Sequence, residues 1–140
     1  MRAVVQRVAH ARVSPGGEIG PGLCVLLGVA ATDDGPSAER LAGRVARLRV
    51  LEGAEGTLDR SLLDTGGAAL VVSQFTLIAD TRRGNRPSFS GAAHPALAEP
   101  LYERFADALR ALGVPVETGV FGARMKLELV NDGPVTVILE

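Results

Sequence analysis

The sequence predicts an α+β fold of one domain spanning residues 1–140, a mostly antiparallel β-sheet or barrel with two helices packed on it. Three observations carry that expectation. Several segments of strand length either alternate polar and apolar residues or run apolar throughout. Two longer segments repeat their apolar residues at helical spacing. No repeat, low-complexity run or linker divides the chain. Apolar residues make up 46% of it but aromatics only 4%, so the core has to be aliphatic. A chain of 140 residues can bury such a core without disulfides or metals.

Arg2 to Val13 alternates as a half-buried strand should, and Ser14 to Gly22, rich in Pro and Gly, is a turn or loop. Leu23 to Ala30 is a continuous apolar run, the pattern of a central strand buried on both faces. Thr32 to Ser37 then offers helix caps. From Ser37 onward Leu41, Val45 and Leu48 share one face while Glu39, Arg40, Arg44 and Arg47 face away, an amphipathic helix. Arg49 to Leu51 starts a short strand, Gly53 to Gly66 is turn-rich, and Ala68 to Phe75 is a second buried strand. Thr81 to Gly91 has no periodicity and reads as a long, arginine-bearing surface loop of the kind that carries function. Pro95 to Leu112 is the clearest helix, with Leu97, Leu101, Phe105, Leu109 and Leu112 as its stripe and Gly113 and Pro115 as its stop. Val116 to Val120, Lys126 to Val130 and Val135 to Leu139 close the chain as strands.

Net charge is −1, from 15 Lys+Arg against 16 Asp+Glu, with Lys126 the single lysine. Wrapping a nucleic-acid backbone takes a basic excess, so composition argues against extensive duplex contact, but not against a pocket that grips one nucleotide end. The chain lacks a secretory leader pattern and any apolar run of bilayer length, so a cytoplasmic location without membrane contact is expected. Cys24 alone excludes an internal disulfide and a multi-Cys zinc site. No His/Cys/Asp/Glu grouping has metal spacing and no phosphate-binding glycine loop occurs, so neither metal nor cofactor is expected.

Standard catalytic groups are nearly missing. His10 lies in a polar phase of the first strand, and His94 precedes Pro95, where a polar side chain commonly caps a helix. Ser88 or Ser90 with His94 can be written as a triad, but no nucleophile-elbow pattern supports it. Cys24 sits in the most apolar run, where a thiol is buried and protonated. Two segments stand out. Ser73-Gln74-Phe75-Thr76-Leu77 ends a buried strand in polar residues, and Asn131-Asp132-Gly133-Pro134-Val135-Thr136 looks like a turn between the last two strands. Taken singly, each is ordinary strand-end or turn material.

Taken together, these two segments resemble the signature motifs of the D-aminoacyl-tRNA deacylase family. The resemblance extends to Arg2–Val8, Val25–Val29, the loop Thr81–Phe89 with Arg86-Pro-Ser-Phe89, and Thr118–Met125. The stretch from Val13 to Gly22 is several residues shorter than is usual in the family. The resemblance implies an enzyme that hydrolyses D-aminoacyl-tRNA, with glycyl-tRNA as a further substrate, working as a homodimer on the 3′ end of aminoacyl-tRNA. It implies a cis Gly133-Pro134 peptide, inserted into the partner's site, whose carbonyls reject the side chain of an L-aminoacyl group. Arg7 and Asn131 would support that gate. Phe75 and Thr76 would donate backbone N–H groups to the scissile carbonyl, with Ser73 and Gln74 supporting the strand end. Phe121, Gly122 and Met125 would form the adenosine slot. The 2′-hydroxyl of the terminal adenosine would assist the chemistry in place of a triad. The competing readings are a serine esterase using the Ser88–Ser90 loop and a dimeric module that binds an RNA end without turnover.

Overall fold

The fold was determined as a computed structural model, which describes residues Met1–Glu140. Its frame is a six-stranded sheet built on β1 (Arg2–Ser14). β1 pairs antiparallel with β2 (Glu18–Ile19), with β3 (Gly22–Gly28) and with β8 (Lys126–Leu139). β3 then pairs parallel with β6 (Ala68–Ser73), and β6 parallel with β7 (Val116–Thr118). The turn after β1 bridges back to the end of β7, Gly17 N–H to the Thr118 carbonyl at 3.0 Å, so the sheet curls into a nearly closed barrel.

The antiparallel pairs of β1 with β2 and β3 follow from short connections, and that with β8 joins the two ends of the chain, whereas a parallel pair needs a crossover with its own buried face. α1 (Gly35–Arg47) and α3 (Pro95–Ala111) supply those crossovers. α1 starts on a reciprocal cap: the Asp34 carboxylate accepts from Ser37 N–H at 2.9 Å, and Ser37 Oγ accepts from Asp34 N–H at 3.4 Å. Its buried face is Ala38, Leu41, Ala42, Val45 and Ala46. On α3 the buried face is Ala98, Leu101, Tyr102, Phe105, Ala106 and Leu109, turned from the leucine stripe so that Leu97 and Leu112 stay partly exposed. Leucine spacing alone could not detect this turn, because alanine and tyrosine complete the face. His94 occupies the N-cap position without a side-chain bond, so the expected cap is absent.

The turn-rich stretch resolves into a small hairpin, β4 (Leu51–Glu52) with β5 (Leu58–Arg60), and a one-turn helix, α2 (Leu62–Thr65). The strand expected at Arg49 thus begins at Leu51. A signal for α2 stands in the sequence: Ser61 and Asp64 form a capping box, Asp64 N–H to Ser61 Oγ at 3.2 Å and Ser61 N–H to Asp64 Oδ2 at 2.8 Å.

The core has two sides. Val5, Leu23, Val25, Leu27 and Val71 pack with the helices, while Val8, Val13, Cys24, Leu70 and Val72 point into the barrel, where Leu127 and Leu129 of β8 cover them. Burial pushes the Cys24 thiol up to about 11. The fold therefore holds the neutral thiol, a contribution complete below the unfolded value of 9.0 and lost as pH rises through about 11. Cys24 should resist a disulfide reagent at mildly alkaline pH until denaturant is added, and Cys24→Ala should flatten the loss of stability in that window. Stoichiometric labelling of the native protein would place the thiol at the surface.

Candidate active site

A cavity of about 570 Å³ opens where the parallel strands β3 and β6 end, the end at which open α/β sheets commonly bind ligands. Three segments wall it: Val72 to Phe75 at the end of β6, Ala93 to Ala98 at the start of α3, and Phe121 to Leu127 leading into β8. Ten of its 14 lining residues are apolar and none carries an ionisable side chain. Its polar groups are those of Ser73 and Gln74 and the backbone.

β6 stops at Ser73, two residues earlier than the apolar run suggested. Gln74 N–H still reaches the Leu27 carbonyl at 2.8 Å, and the chain then coils into a 3₁₀ turn over Phe75–Ile78. Gly28 permits this. A Cβ there would stand 2.9 Å from Leu77 Cβ and 3.1 Å from the Gln74 carbonyl oxygen. The first amides of a helical turn have no carbonyl within it to meet, so the turn leaves the N–H groups of Phe75 and Thr76 free. The Phe75 ring, 55% exposed, is stacked edge-on against Phe89 at 5.1 Å, which pins the Thr81–Gly91 loop to the cavity rim. Thr76 does not line the cavity, and its hydroxyl accepts a bond from Gln74 Nε2.

Across the cavity, Phe121, Ala123, Met125 and Leu127 point inward at alternate positions, with Gly122 at the edge and Arg124 and Lys126 outward. Tyr102 backs Phe121 at 5.9 Å and donates to the Val71 carbonyl at 2.8 Å. Ser73, Gln74, Phe75, Phe121, Gly122 and Met125 are thus brought to one pocket.

The second motif is elsewhere. Asn131–Thr136 is not a turn between separate strands, because β8 runs continuously and stays paired with β1 on both sides of it. Val8 pairs with Asn131 and Gln6 with Thr136, so Asp132 to Val135 stand opposite Arg7 alone. A pattern-based reading takes Asn-Asp-Gly-Pro as a chain reversal; the β1 ladder on either side makes it a bulge. The Gly133-Pro134 peptide is cis, and Gly133 has φ +130, a region that disfavours side chains. Arg7 is 6% exposed and fills the gap: Nε donates to the Asp132 carbonyl at 2.8 Å, Nη1 to the Val50 carbonyl at 3.1 Å, and Nη2 meets Glu52 Oε1 at 3.5 Å. Asn131, Asp132, Gly133 and Pro134 are exposed.

Within one chain this loop does not reach the cavity. Leu127, on the cavity wall, and Asn131, at the base of the loop, are separated by roughly 13 Å of extended strand. Arg7 and Asp132 instead border a separate cleft of about 400 Å³ with Glu52 and Gly66.

The remaining candidates stay apart. His10 and His94 are exposed and line no part of the cavity. Ser88 Oγ meets Ser90 Oγ at 3.3 Å rather than a histidine. No group of three or more His, Cys, Asp or Glu side chains is placed to hold a metal, and no helix is long and apolar enough to cross a membrane.

The D-Tyr-tRNA(Tyr) deacylase family model matches residues 4–140. The chain is 58% identical to a D-aminoacyl-tRNA deacylase of Symbiobacterium thermophilum over 144 aligned residues, covering 100% of this chain and 95% of the relative. It is also 58% identical to the protein of that name from Ruegeria pomeroyi, covering 100% and 99%. Among solved structures, the c-Myc DNA unwinding element binding protein superposes with a TM-score of 0.93 at 41% identity, covering 100% of this chain and 98% of that one. A probable eukaryotic D-amino acid tRNA deacylase shares the fold, with a TM-score of 0.85 at 16% identity, covering 99% and 97%.

Replacing Arg7 with Met keeps its apolar stem and leaves the Asp132 and Val50 carbonyls without their charged donor. The expected cost is about 2–3 kcal/mol. Amide exchange should quicken over Asn131–Val135 while the β1–β3 ladder keeps its protection. Unchanged exchange would mean that the loop is held without Arg7.

Proposed function

Because this chain belongs to the D-Tyr-tRNA(Tyr) deacylase family, we propose that it hydrolyses the ester of D-aminoacyl-tRNA at the cavity beside Phe75, with chirality read by carbonyls from a second subunit. One observation carries the reading at the level of the site: the cavity has no acid, base or ionisable nucleophile in its lining, yet a pair of free backbone amides stands at the end of β6.

An aminoacyl ester of a ribose hydroxyl is already activated, so the demand on the protein is orientation and stabilisation of the oxyanion. Water adds to the ester carbonyl carbon, the bond to the ribose oxygen breaks, and that oxygen leaves with a proton as the restored hydroxyl of the tRNA. Free D-amino acid is the other product. The Phe75 amide on the cavity wall donates to the developing oxyanion, where a single such donor is typically worth about 10²–10³ in rate. The adjoining Thr76 amide, behind the wall, is the second donor if the turn shifts as substrate binds. The neighbouring 2′-hydroxyl of the terminal ribose assists the proton transfer. Ser73 and Gln74 hold the strand end, and Gln74 also occupies the Thr76 hydroxyl, which favours a backbone role for Thr76 over a nucleophilic one. Phe121 supplies an aromatic face for the adenine, Gly122 a close backbone approach, and Met125 a polarizable wall.

The gate comes from the partner. Each chain carries a loop that its own cavity cannot use, exposed at Gly133 and Pro134 and braced from beneath by Arg7, with Asn131 at its base. β8 supports an assembly of two chains. It runs from Lys126 to Leu139 with β1 on one edge only, and presents Val130 and Ile138 at 48% and 63% exposure. A long edge strand with exposed apolar residues is a pairing surface. The Gly133 and Pro134 carbonyls exclude the side chain of an L-aminoacyl group and leave a D-aminoacyl group room, so selection works by clash.

Sedimentation at micromolar concentration should give twice the chain mass; a fully active monomer would overturn the shared site. The activity itself is tested with D-alanyl-, L-alanyl- and glycyl-tRNA in one buffer. Substoichiometric enzyme should release D-alanine, spare the L-alanyl ester, and cleave glycyl-tRNA at higher enzyme concentration, since glycine has no side chain to repel. Binding without turnover would make the chain an RNA-end-binding module. Complete resistance of glycyl-tRNA would mean that the pocket reads the D side chain directly.

A further inference from the structure

Positive charge is distributed unevenly around the cavity. From Thr81 to Ala98 the chain holds three arginines and no carboxylate; from Thr118 to Leu127 it holds Arg124 and Lys126 and no carboxylate. These two segments supply two of the cavity's walls, through Ala93 and Pro95 on one side and Phe121 and Met125 on the other.

The loop Thr81–Gly91 is shaped to present part of that charge. Asp80 and Ser88 exchange backbone bonds of 2.7 and 2.9 Å, which folds the intervening residues outward, and Phe89 docks on Phe75 at the rim. Arg82 is spent inside the loop: Nε and Nη2 grip the Asp80 carboxylate at 2.9 and 2.7 Å, which holds that carboxyl below its ordinary range. Arg83 and Arg86 are left exposed, with no carboxylate within ion-pair distance. Arg124 and Lys126 are likewise exposed and unpaired, on the outward phase of the segment whose inward phase lines the cavity. Elsewhere Arg2, Arg12, Arg104 and Arg110 are matched to Glu140, Glu128, Glu39 and Asp107. Arg40, Arg44 and Arg47 on α1, and Arg49 and Arg60 beyond it, are also exposed and in no ion pair with a side-chain carboxylate, but none of them lies on a segment that walls the cavity.

We propose that Arg83 and Arg86, joined by Arg124 and Lys126, form a phosphate track into the cavity, taking the backbone phosphates of the unpaired nucleotides that precede the terminal nucleoside. The proposal rests on the deacylase reading and extends it beyond the ester. It accounts for how a chain of net charge −1 engages a polyanion: five of its 15 cations lie on acid-free segments at the mouth, while all 16 carboxylates lie elsewhere in the chain. Backbone phosphates carry no base identity, so such contacts serve any tRNA with a single-stranded end.

The test compares two substrates, D-alanyl-tRNA and D-alanyl-adenosine, which keeps the ester and the nucleoside but has no phosphate. Wild type is set against R83Q/R86Q, R83K/R86K and the control R40Q over a range of NaCl concentrations. With the tRNA substrate, R83Q/R86Q should raise KM several-fold with kcat retained. It should also make the slope of log(kcat/KM) against log[NaCl] shallower by about 1.4, at about 0.7 for each phosphate no longer neutralised. R83K/R86K should keep the slope, R40Q should match wild type, and D-alanyl-adenosine should be cleaved alike by all four, which also shows that the variants fold. R124Q/K126Q should make the slope shallower still when combined with R83Q/R86Q. An unchanged KM and slope in R83Q/R86Q would overturn the track while leaving the deacylase intact. Equal loss on D-alanyl-adenosine would overturn it too, since the loop would then be shaping the pocket rather than holding phosphates. Failure of wild type to cleave either substrate would overturn the deacylase reading itself.

Discussion

The β1–β8 ladder shifts register on both sides of Val8 and opens widest opposite Arg7, and the molecule is arranged around how that opening is filled. A guanidinium left buried without partners costs several kcal/mol, so the gap is tolerable only because it is lined with acceptors. The Asp132 carbonyl comes from the bulged strand, the Val50 carbonyl from the chain beyond α1, and the Glu52 carboxylate from the hairpin that follows. One side chain therefore ties the bulge of β8 to the stretch Val50–Glu52, with which it shares no ladder. Its planar fork suits this task, because the donors leave it in fixed directions and hold each acceptor at a defined angle. What remains of the bulge faces solvent on a rigid base, a suitable arrangement for backbone carbonyls proposed to act on a partner's substrate.

At the other end of the sheet the same economy of side chains recurs. The cavity wall is aliphatic and aromatic, and the only groups available to a reacting carbonyl are dipoles of the backbone and of Ser73 and Gln74. Dipoles fixed by a strand end and a 3₁₀ turn need no reorganisation when charge develops, which is the advantage of amides over mobile side chains. Gly28 is the enabling detail, since any side chain there would push the turn away from β3. The chemistry proposed for this site is therefore a property of how β6 ends.

Net charge describes the molecule poorly for the same reason. A value of −1 averages paired surface arginines, an acid-rich stretch of α3 that includes Glu99, Glu103 and Asp107, and two segments with no acid at all. Electrostatic attraction between exposed groups fades within about 10 Å at ordinary ionic strength, so a polyanion meeting the cavity mouth responds to the local cations rather than to the sum.

The sequence by itself determined the elements that depend on periodicity or on a local cap. The buried strand from Leu23, which ends at Gly28 rather than at Ala30, the start of α1 at Asp34 and Ser37, and the extent of the helix at Pro95 were legible, because hydrophobic spacing and capping act within a few residues. The two motifs were legible as well through the family resemblance, and with them Ser73, Gln74, Phe75, Phe121, Gly122 and Met125, which share the cavity. The capping box at Ser61 and Asp64 is equally local, but the turn residues on either side of it mask so short a helix. Only the tertiary structure decided that Asn131–Thr136 bulges within one strand, since a Gly-Pro turn and a Gly-Pro bulge differ in whether β1 is present on both sides. It also decided that Arg7, the Val50 carbonyl and the Asp132 carbonyl meet, that Thr76 stands off the cavity, and that the acid-free segments border it. Those are relations between residues tens of positions apart, brought together by strand register, which no window along the chain contains.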